Sequence, residues 1–389
     1  MSRRCSMESK NSVRIALIGT GGMGRKYADL ILFGRIPGME LTAMVCRSEN
    51  AREWAVDTLR TLPEGSESPR IFDSADALFA EPDLYDAVLI VTPHKTHPEL
   101  AKRAFALGKH VLSDKPAAVT AAEAEEMCVK AEENGVLFSL MFQQRFIPKH
   151  VRIKAILESG LLGRIRRVLM ESTRYFRTEF YHASGTWRSS WAGEGGGLLI
   201  NQGQHILDLW QYLFGMPESV FAEIPFGKYN NFDVDDEATI VMRYADGMTG
   251  TFIASTGEAD GADRLTISGS KGRLVLTGDE IALAVYSEDS DLYRRNAQVT
   301  DARDLRIVRS VEPFGQEAPM SEYIALLTNF AAAVRGEEEL VSNGRSGIGS
   351  LALTNAAYLS AWKDERITLP VDGEEYAGFL AAKCLPTEI

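Results

Sequence analysis

The apolar run Val13–Ile18 leads directly into Gly19-Thr20-Gly21-Gly22-Met23-Gly24, and this junction constrains the fold more than any other stretch. A short, β-branched run of that kind suits a strand buried on both faces. A helical pattern follows over 23–33 and stops at Gly34 and Pro37. The glycines at 19, 21 and 24 match GxGxxG, and each has a task. Gly19 allows the tight turn, Gly21 lets the backbone come close to a pyrophosphate, and Gly24 permits close helix–strand packing. The helix N-terminus adds N–H groups and a partial positive charge for phosphates. Glycine-rich turns also arise for packing alone, so context has to decide. Here a strand precedes the turn, a helix follows it, and the alternation continues.

Further strand patterns fall at 40–46, 87–91, 110–112 and 136–141, with helical ones at 50–62, 74–79, 98–107 and 121–134. Regular β/α alternation predicts a doubly wound parallel sheet of the Rossmann class over 11–141. After Met141 the pattern changes. A helix at 150–159 precedes strands at 165–176, 237–244, 248–254, 264–269 and 273–276, several joined by short turns such as Ala245-Asp246-Gly247. Short links imply antiparallel neighbours. Helices at 200–213, Ser321–Val334 and 347–363 complete the expectation of an α+β domain over 142–389, with an open, largely antiparallel sheet. The chain is thus α/β with two domains, as 389 residues suggest. Residues 1–10 read as a disordered tail, with Met7 an alternative start.

Composition narrows the partners. A formal charge of −12 argues against a nucleic-acid surface, which needs a basic stripe. The four cysteines, Cys5, Cys46, Cys128 and Cys384, lie far apart without metal or disulfide spacing. That fits a reducing cytoplasm and no metal. No stretch is long and apolar enough for a membrane span, and no signal-peptide core follows Met1.

Cofactor residues follow from the ends of parallel strands, where such sheets place ligands. After the second strand an acidic residue would bind the ribose 2′-hydroxyl of NAD, but this chain has Cys46-Arg47-Ser48. Arg47 and Ser48 can meet the 2′-phosphate of NADP, or Arg47 can be a solvated surface residue that tolerates NAD. The expectation is NAD or NADP, leaning to NADP. Thr92, Pro93, His94 and His97 follow the 87–91 strand and can line the cofactor; His97 can equally cap the next helix. Asp114 and Lys115 follow the next strand, where the nicotinamide end should lie, with Pro116 fixing the turn.

The second domain supplies Asn201, His205 and Asp208, at i, i+4 and i+7 of a helix beginning near Ile200. One face carrying an amide, an imidazole and a carboxylate departs from an ordinary core stripe. A histidine exchanges protons near neutral pH, although a single histidine can also be a satisfied core residue. Arg145, in Gln143-Gln144-Arg145-Phe146, can reach a substrate or tie the domains together. Tyr175, Arg177, Tyr181, His182, Trp187, Arg188 and Trp191 form an aromatic and basic stretch. It suits a polyhydroxylated ring, or it is a packed loop with aromatic anchors.

The ordered set of the glycine turn, Val91-Thr92-Pro93 with His97, Lys115-Pro116, and Gly203-x-His205-x-x-Asp208 resembles the glucose–fructose oxidoreductase / inositol dehydrogenase / MocA family from about Val13 to Pro370. The resemblance implies hydride transfer between a nicotinamide and a secondary hydroxyl or ketone of a sugar, cyclitol or derivative. It further implies that Lys115 holds the reacting oxygen and that His205 is the acid/base. A homodimer or homotetramer through the C-terminal sheet would follow. Two positions depart from the family pattern: Asp114 replaces a glutamate, and Asn201 stands where an aspartate is common. Asp208 would then bind a substrate hydroxyl or orient the helix. Two other functions fit the same cofactor domain: redox-neutral cleavage of glycosides through transient oxidation, and non-catalytic nucleotide sensing.

Overall fold

The computed structural model describes residues 12–185 and 187–385; the tail expected over 1–10 lies outside them. Six strands, β1 (Val13–Ile18), β2 (Met39–Val45), β3 (Arg70–Phe72), β4 (Ala87–Ile90), β5 (His110–Ser113) and β6 (Phe138–Leu140), form one sheet. Its order is β3-β2-β1-β4-β5-β6, and every neighbouring pair is parallel. The direction of winding reverses between β1 and β4, the switch point that defines a ligand crevice in such sheets. Both faces are covered, since Ile15, Leu17, Val88, Leu89 and Val111 are all buried. Helices Gly22–Leu32, Glu49–Arg60, His97–Ala106 and Ala121–Glu133 connect the strands. Ser48 caps the second of these, and a reciprocal Thr120–Glu123 capping box starts the last.

The chain divides into two compact units, and their boundary differs from the expected one. The first holds everything described up to Gln143 together with Met320–Ile348; the second holds Gln144–Pro319 and the chain from Gly349 onward. Residues 320–348 return to the first unit because that sheet has an open edge. Ser342 accepts from Leu140 N–H at 3.1 Å and donates its hydroxyl to the Leu140 carbonyl at 2.7 Å. Pairing covers the row of backbone groups that an edge strand leaves exposed. Tyr323 on the helix Ser321–Val334 meets the buried Tyr27, with ring centroids 5.7 Å apart. Arg345 pairs with Glu125 and Glu132.

The second unit holds a nine-stranded sheet made from β7 (Ile165–Ser172), β8 (Ser219–Glu223), β9 (Glu237–Arg243), β10 (Thr249–Ser255), β11 (Asp263–Gly269), β12 (Gly272–Thr277), β13 (Glu280–Tyr286), β14 (Ile307–Pro313) and β15 (Ile367–Thr368). The order is β14-β13-β12-β11-β7-β10-β9-β8-β15. All pairs are antiparallel except β7 with β10. One face buries Val168, Met170, Ile240, Met242, Phe252, Leu265 and Leu274. Trp210, on the helix Gln202–Phe214, meets Phe252 edge-on at 6.4 Å and donates Nε1–H to Tyr244 at 2.8 Å. Gly250 makes room for it, since a Cβ there would strike the Trp210 ring. No helix among the described residues is long and apolar enough to cross a membrane.

Candidate active site

In the first unit the glycine turn divides its labour as its spacing suggests. Gly19 has φ +106°, a region that favours glycine, and a Cβ there would strike the Val91 carbonyl. A Cβ on Gly24 would strike the Gly19 carbonyl, so this glycine lets the helix seat on the turn. A Cβ on Gly21 or Gly22 would meet nothing within 4 Å. That open ground, at the N-terminus of a helix with no acidic residue in its first turn, fits a pyrophosphate. Thr20 is buried and donates to the Val45 carbonyl at 3.3 Å, fastening the turn to the end of β2; Met23 is half-buried.

Beyond β2, Cys46 is buried while Arg47 and Ser48 are exposed. Burial pushes the Cys46 thiol up, against the pull of Arg25 and Arg52. Ser48 Oγ accepts from Ala51 N–H at 3.2 Å, so its acceptor caps a helix while its proton can still go to a phosphate. Arg25 donates to the Thr20 carbonyl and to Asn50 Oδ1, and Arg52 donates to the Cys46 carbonyl. Two guanidiniums that the sequence reading passed over therefore flank the strand end carrying Arg47.

His97 neither lines an open surface nor caps its helix through a side-chain bond. It is fully buried, with Nδ1 2.8 Å from the Pro116 carbonyl and Nε2 2.7 Å from the Thr92 carbonyl. The imidazole thereby joins the loop after β4 to the turn after β5. Burial pushes its pKa down, while the two carbonyls and Asp114 act the other way. His94 is buried beside it, with ring centroids 6.2 Å apart, and Thr92 and Pro93 are half-buried. Asp114 Oδ1 accepts from Lys115 N–H at 2.8 Å. Removal from water raises the Asp114 carboxyl, and the charges of Lys115 and His97 oppose that. Lys115, two residues past β5, is half-buried, and its bond to Pro116 is cis.

In the second unit the residues expected on one polar face separate. Asn201 precedes the helix Gln202–Phe214 and His205 is half-buried on its first turn, but Asp208 is fully buried. Arg145 grips the Asp208 carboxylate with Nε at 2.8 Å and Nη2 at 2.6 Å, and Gln211 adds a third donor at 3.0 Å. The Arg145 guanidinium also lies over the Tyr212 ring. Burial raises the Asp208 carboxyl, and Arg145 and Gln211 hold it back. These two charges face each other, and the Asp208 carboxylate is committed to Arg145 and Gln211.

The aromatic stretch divides as well. Trp191 is buried among Phe226, Tyr358 and Trp362 and donates Nε1–H to the Asp233 carbonyl at 3.0 Å, which makes it a packing residue. Trp187 is half-buried under Arg188, and half-buried Tyr175 lies near Arg174 and Arg177. Tyr181 is the hub: its oxygen accepts from Arg188 at 2.9 Å, Gln202 at 3.0 Å and Asn201 at 3.4 Å. Glu194 escaped the sequence reading. It is buried and accepts from Asn201 Nδ2 at 2.6 Å and Ser189 N–H at 2.7 Å. The only signal for it was an acidic residue interrupting the glycines at 193 and 195–197. Gly196 and Gly197 serve packing: Asp235 accepts from Gly197 N–H, Leu199 N–H and the Tyr358 hydroxyl, and a Cβ on Gly196 would strike Tyr358.

With this geometry in view, comparison with known proteins gives the class. Residues 13–142 match the oxidoreductase family, NAD-binding Rossmann fold, and residues 150–275 match the GFO/IDH/MocA C-terminal domain. The chain belongs to the GFO/IDH/MocA oxidoreductase family, as its motifs suggested. It is 32% identical over 206 residues to a bovine trans-1,2-dihydrobenzene-1,2-diol dehydrogenase, covering 52% of this chain and 58% of that one. It is 30% identical over 234 residues to scyllo-inositol 2-dehydrogenase (NADP(+)) of Bacillus subtilis, covering 60% and 66% respectively. The chain thus spans less than two thirds of these curated relatives. The fold is similar to that of the WlbA dehydrogenase from Bordetella pertussis in complex with NADH and UDP-GlcNAcA, with TM-score 0.75 and 25% identity over 93% of this chain and 100% of the other.

Proposed function

We propose that this protein is an NAD(P)-dependent dehydrogenase acting on a secondary hydroxyl of a sugar, a cyclitol or a derivative of one. The observation that carries the reading is Lys115, two residues past the end of β5 in a parallel sheet whose glycine turn fits a dinucleotide. The bound nicotinamide supplies the hydride acceptor. The Lys115 ammonium hydrogen-bonds the reacting oxygen and stabilises the charge developing on it, and the His205 imidazole accepts the hydroxyl proton. Asp114 holds the Lys115 backbone, and His97 ties the two ligand-facing turns together. Tyr175 and Trp187 offer aromatic faces to the ring. Relatives named for a diol and an inositol, and a structural neighbour bound to a nucleotide sugar, support this substrate class. A screen of sugars and cyclitols, read by nicotinamide absorbance, tests it.

The preferred cofactor in this reading is NADP. Arg47, Arg25 and Arg52 cluster at the end of β2, and no carboxylate occupies 46–48. One charge-assisted hydrogen bond to the 2′-phosphate corresponds to about tenfold or more in affinity. Titration of nicotinamide fluorescence should therefore give tighter binding of NADPH than NADH, with Arg47→Glu removing the difference. Equal affinities in the parent protein would contradict this choice.

Assembly into a homodimer or homotetramer through the second sheet also belongs to the proposal. Val311, Ala282, Val275, Thr266, Leu169, Thr251, Val241 and Phe221 stand in register across eight strands, forming one uncharged row on the face opposite the core. Val241 and Val311 are 38% and 58% exposed, an apolar surface that a second copy would cover. Light scattering should report at least two chains per particle; the mass of one chain would contradict it.

A further inference from the structure

Glu194 is 2% exposed, and its two oxygens have separate duties. Oε2 accepts the Ser189 N–H at 2.7 Å, in a loop where Ser189 adopts φ +50°. Oε1 accepts Asn201 Nδ2 at 2.6 Å. An asparagine amide has a donor end and an acceptor end, and a carboxylate accepts only. The carboxylate therefore decides which way the Asn201 amide faces, and Tyr181 Oη, 3.4 Å from Nδ2, lies at the same donor end. The acceptor end, Oδ1, is turned away from Glu194. A carbonyl oxygen has two lone pairs, so it can accept a ligand hydroxyl beside other contacts.

We propose that Glu194 is a positioning residue that locks the Asn201 amide so that Oδ1 receives a hydrogen bond from a hydroxyl of the substrate ring. The pairing selects rings that present a donor at that point, and it rests on the proposed function in taking the Asn201–His205 segment as substrate-contacting. It also gives Asn201 a physical reason. A carboxylate at 201 would lie against that of Glu194, and two carboxylates at such a distance must share a proton. Beside Glu194, an amide is the group that presents an oxygen to the ligand without that cost.

The test is a double-variant cycle in the full chain. Glu194→Gln replaces one oxygen with an NH2. With its remaining oxygen kept on Ser189 N–H, the new amide faces the Asn201 NH2 and forces the Asn201 amide to turn over. Asn201→Asp creates the carboxyl pair. Together the two changes restore one donor against one acceptor and turn an oxygen to the ligand again. Thermal midpoints measured from about pH 5 to about pH 8 give the first readout. The folded Asn201→Asp protein holds a proton that its unfolded chain releases. Its folded pKa is raised, so its stability relative to the parent is retained at low pH and lost as pH rises. Adding Glu194→Gln should flatten that dependence. Steady-state kinetics give the second readout: Glu194→Gln alone raises KM about tenfold with kcat within about twofold, and the double variant returns KM toward the parent value. An Asn201→Asp protein whose midpoint tracks the parent at every pH overturns the pairing. A normal thermal cycle with unchanged KM overturns the substrate contact. Because the thermal arm needs no turnover, a failure of the dehydrogenase reading is seen separately, as absent activity in the parent.

Discussion

Lys115→Ala is expected to lower kcat by about a thousandfold while leaving NADPH affinity within about twofold. Removing one preorganised donor from a developing oxyanion typically costs 10²–10³ in rate. Lys115 supplies a full charge in a half-buried position, which places it near the upper end. The substitution truncates a side chain on a turn, and the fold around it is secured by other groups: Asp114 N–H donates to the Ile90 carbonyl, and His97 holds the Pro116 carbonyl. Loss of activity with retained cofactor binding would therefore report chemistry. Full turnover by the variant would remove Lys115 from the mechanism.

The second large effect concerns stability. Asp208→Ala leaves the Arg145 guanidinium buried without its carboxylate, in a place where side-chain exposure is 1% for the arginine and 0% for the aspartate. Breaking a buried pair in this way costs about 3–5 kcal/mol, and in a unit of this size that lowers the melting temperature by roughly 10 °C. Replacing both partners with apolar residues of similar volume should recover most of the loss, since the buried pair itself has little net worth. Calorimetry on the parent and these two variants checks this. An Asp208→Ala protein that melts with the parent would show that the charge is not committed to Arg145.

Part of this architecture was legible before the structure. β1, β4 and β5 are apolar runs between glycines and caps, and a strand buried on both faces needs little else to be recognised. β3 is only three residues long, too short for any period to register. β14 escaped because it is an edge strand with exposed polar positions: Arg309 and Ser310 interrupt its valines, and none of its residues is buried. The return of 320–348 to the first unit is marked by contacts such as Ser342 with Leu140, about two hundred residues apart, which leave no local pattern. At the site, spacing located His205 correctly on its helix, but it treated Asp208 as part of the same face. Helical periodicity says which residues share a side and says nothing of what stands opposite; Arg145 did, and it took the carboxylate. Trp191 misled in the same way, because an aromatic residue looks alike in a ligand platform and in a core. Glu194 was hidden among glycines whose roles proved structural.

The proposed activity is the oxidation of a secondary alcohol of a polyhydroxylated ring with net reduction of a nicotinamide. The most direct measurement is the absorbance of reduced nicotinamide when the protein is mixed with NADP or NAD and a panel of sugars, cyclitols and their nucleotide derivatives, alongside product analysis. Stoichiometric NADPH and ketone are expected from at least one member of the panel, abolished in Lys115→Ala. Tight cofactor binding without any reduced nicotinamide across the panel, or glycoside cleavage in its place, would contradict it.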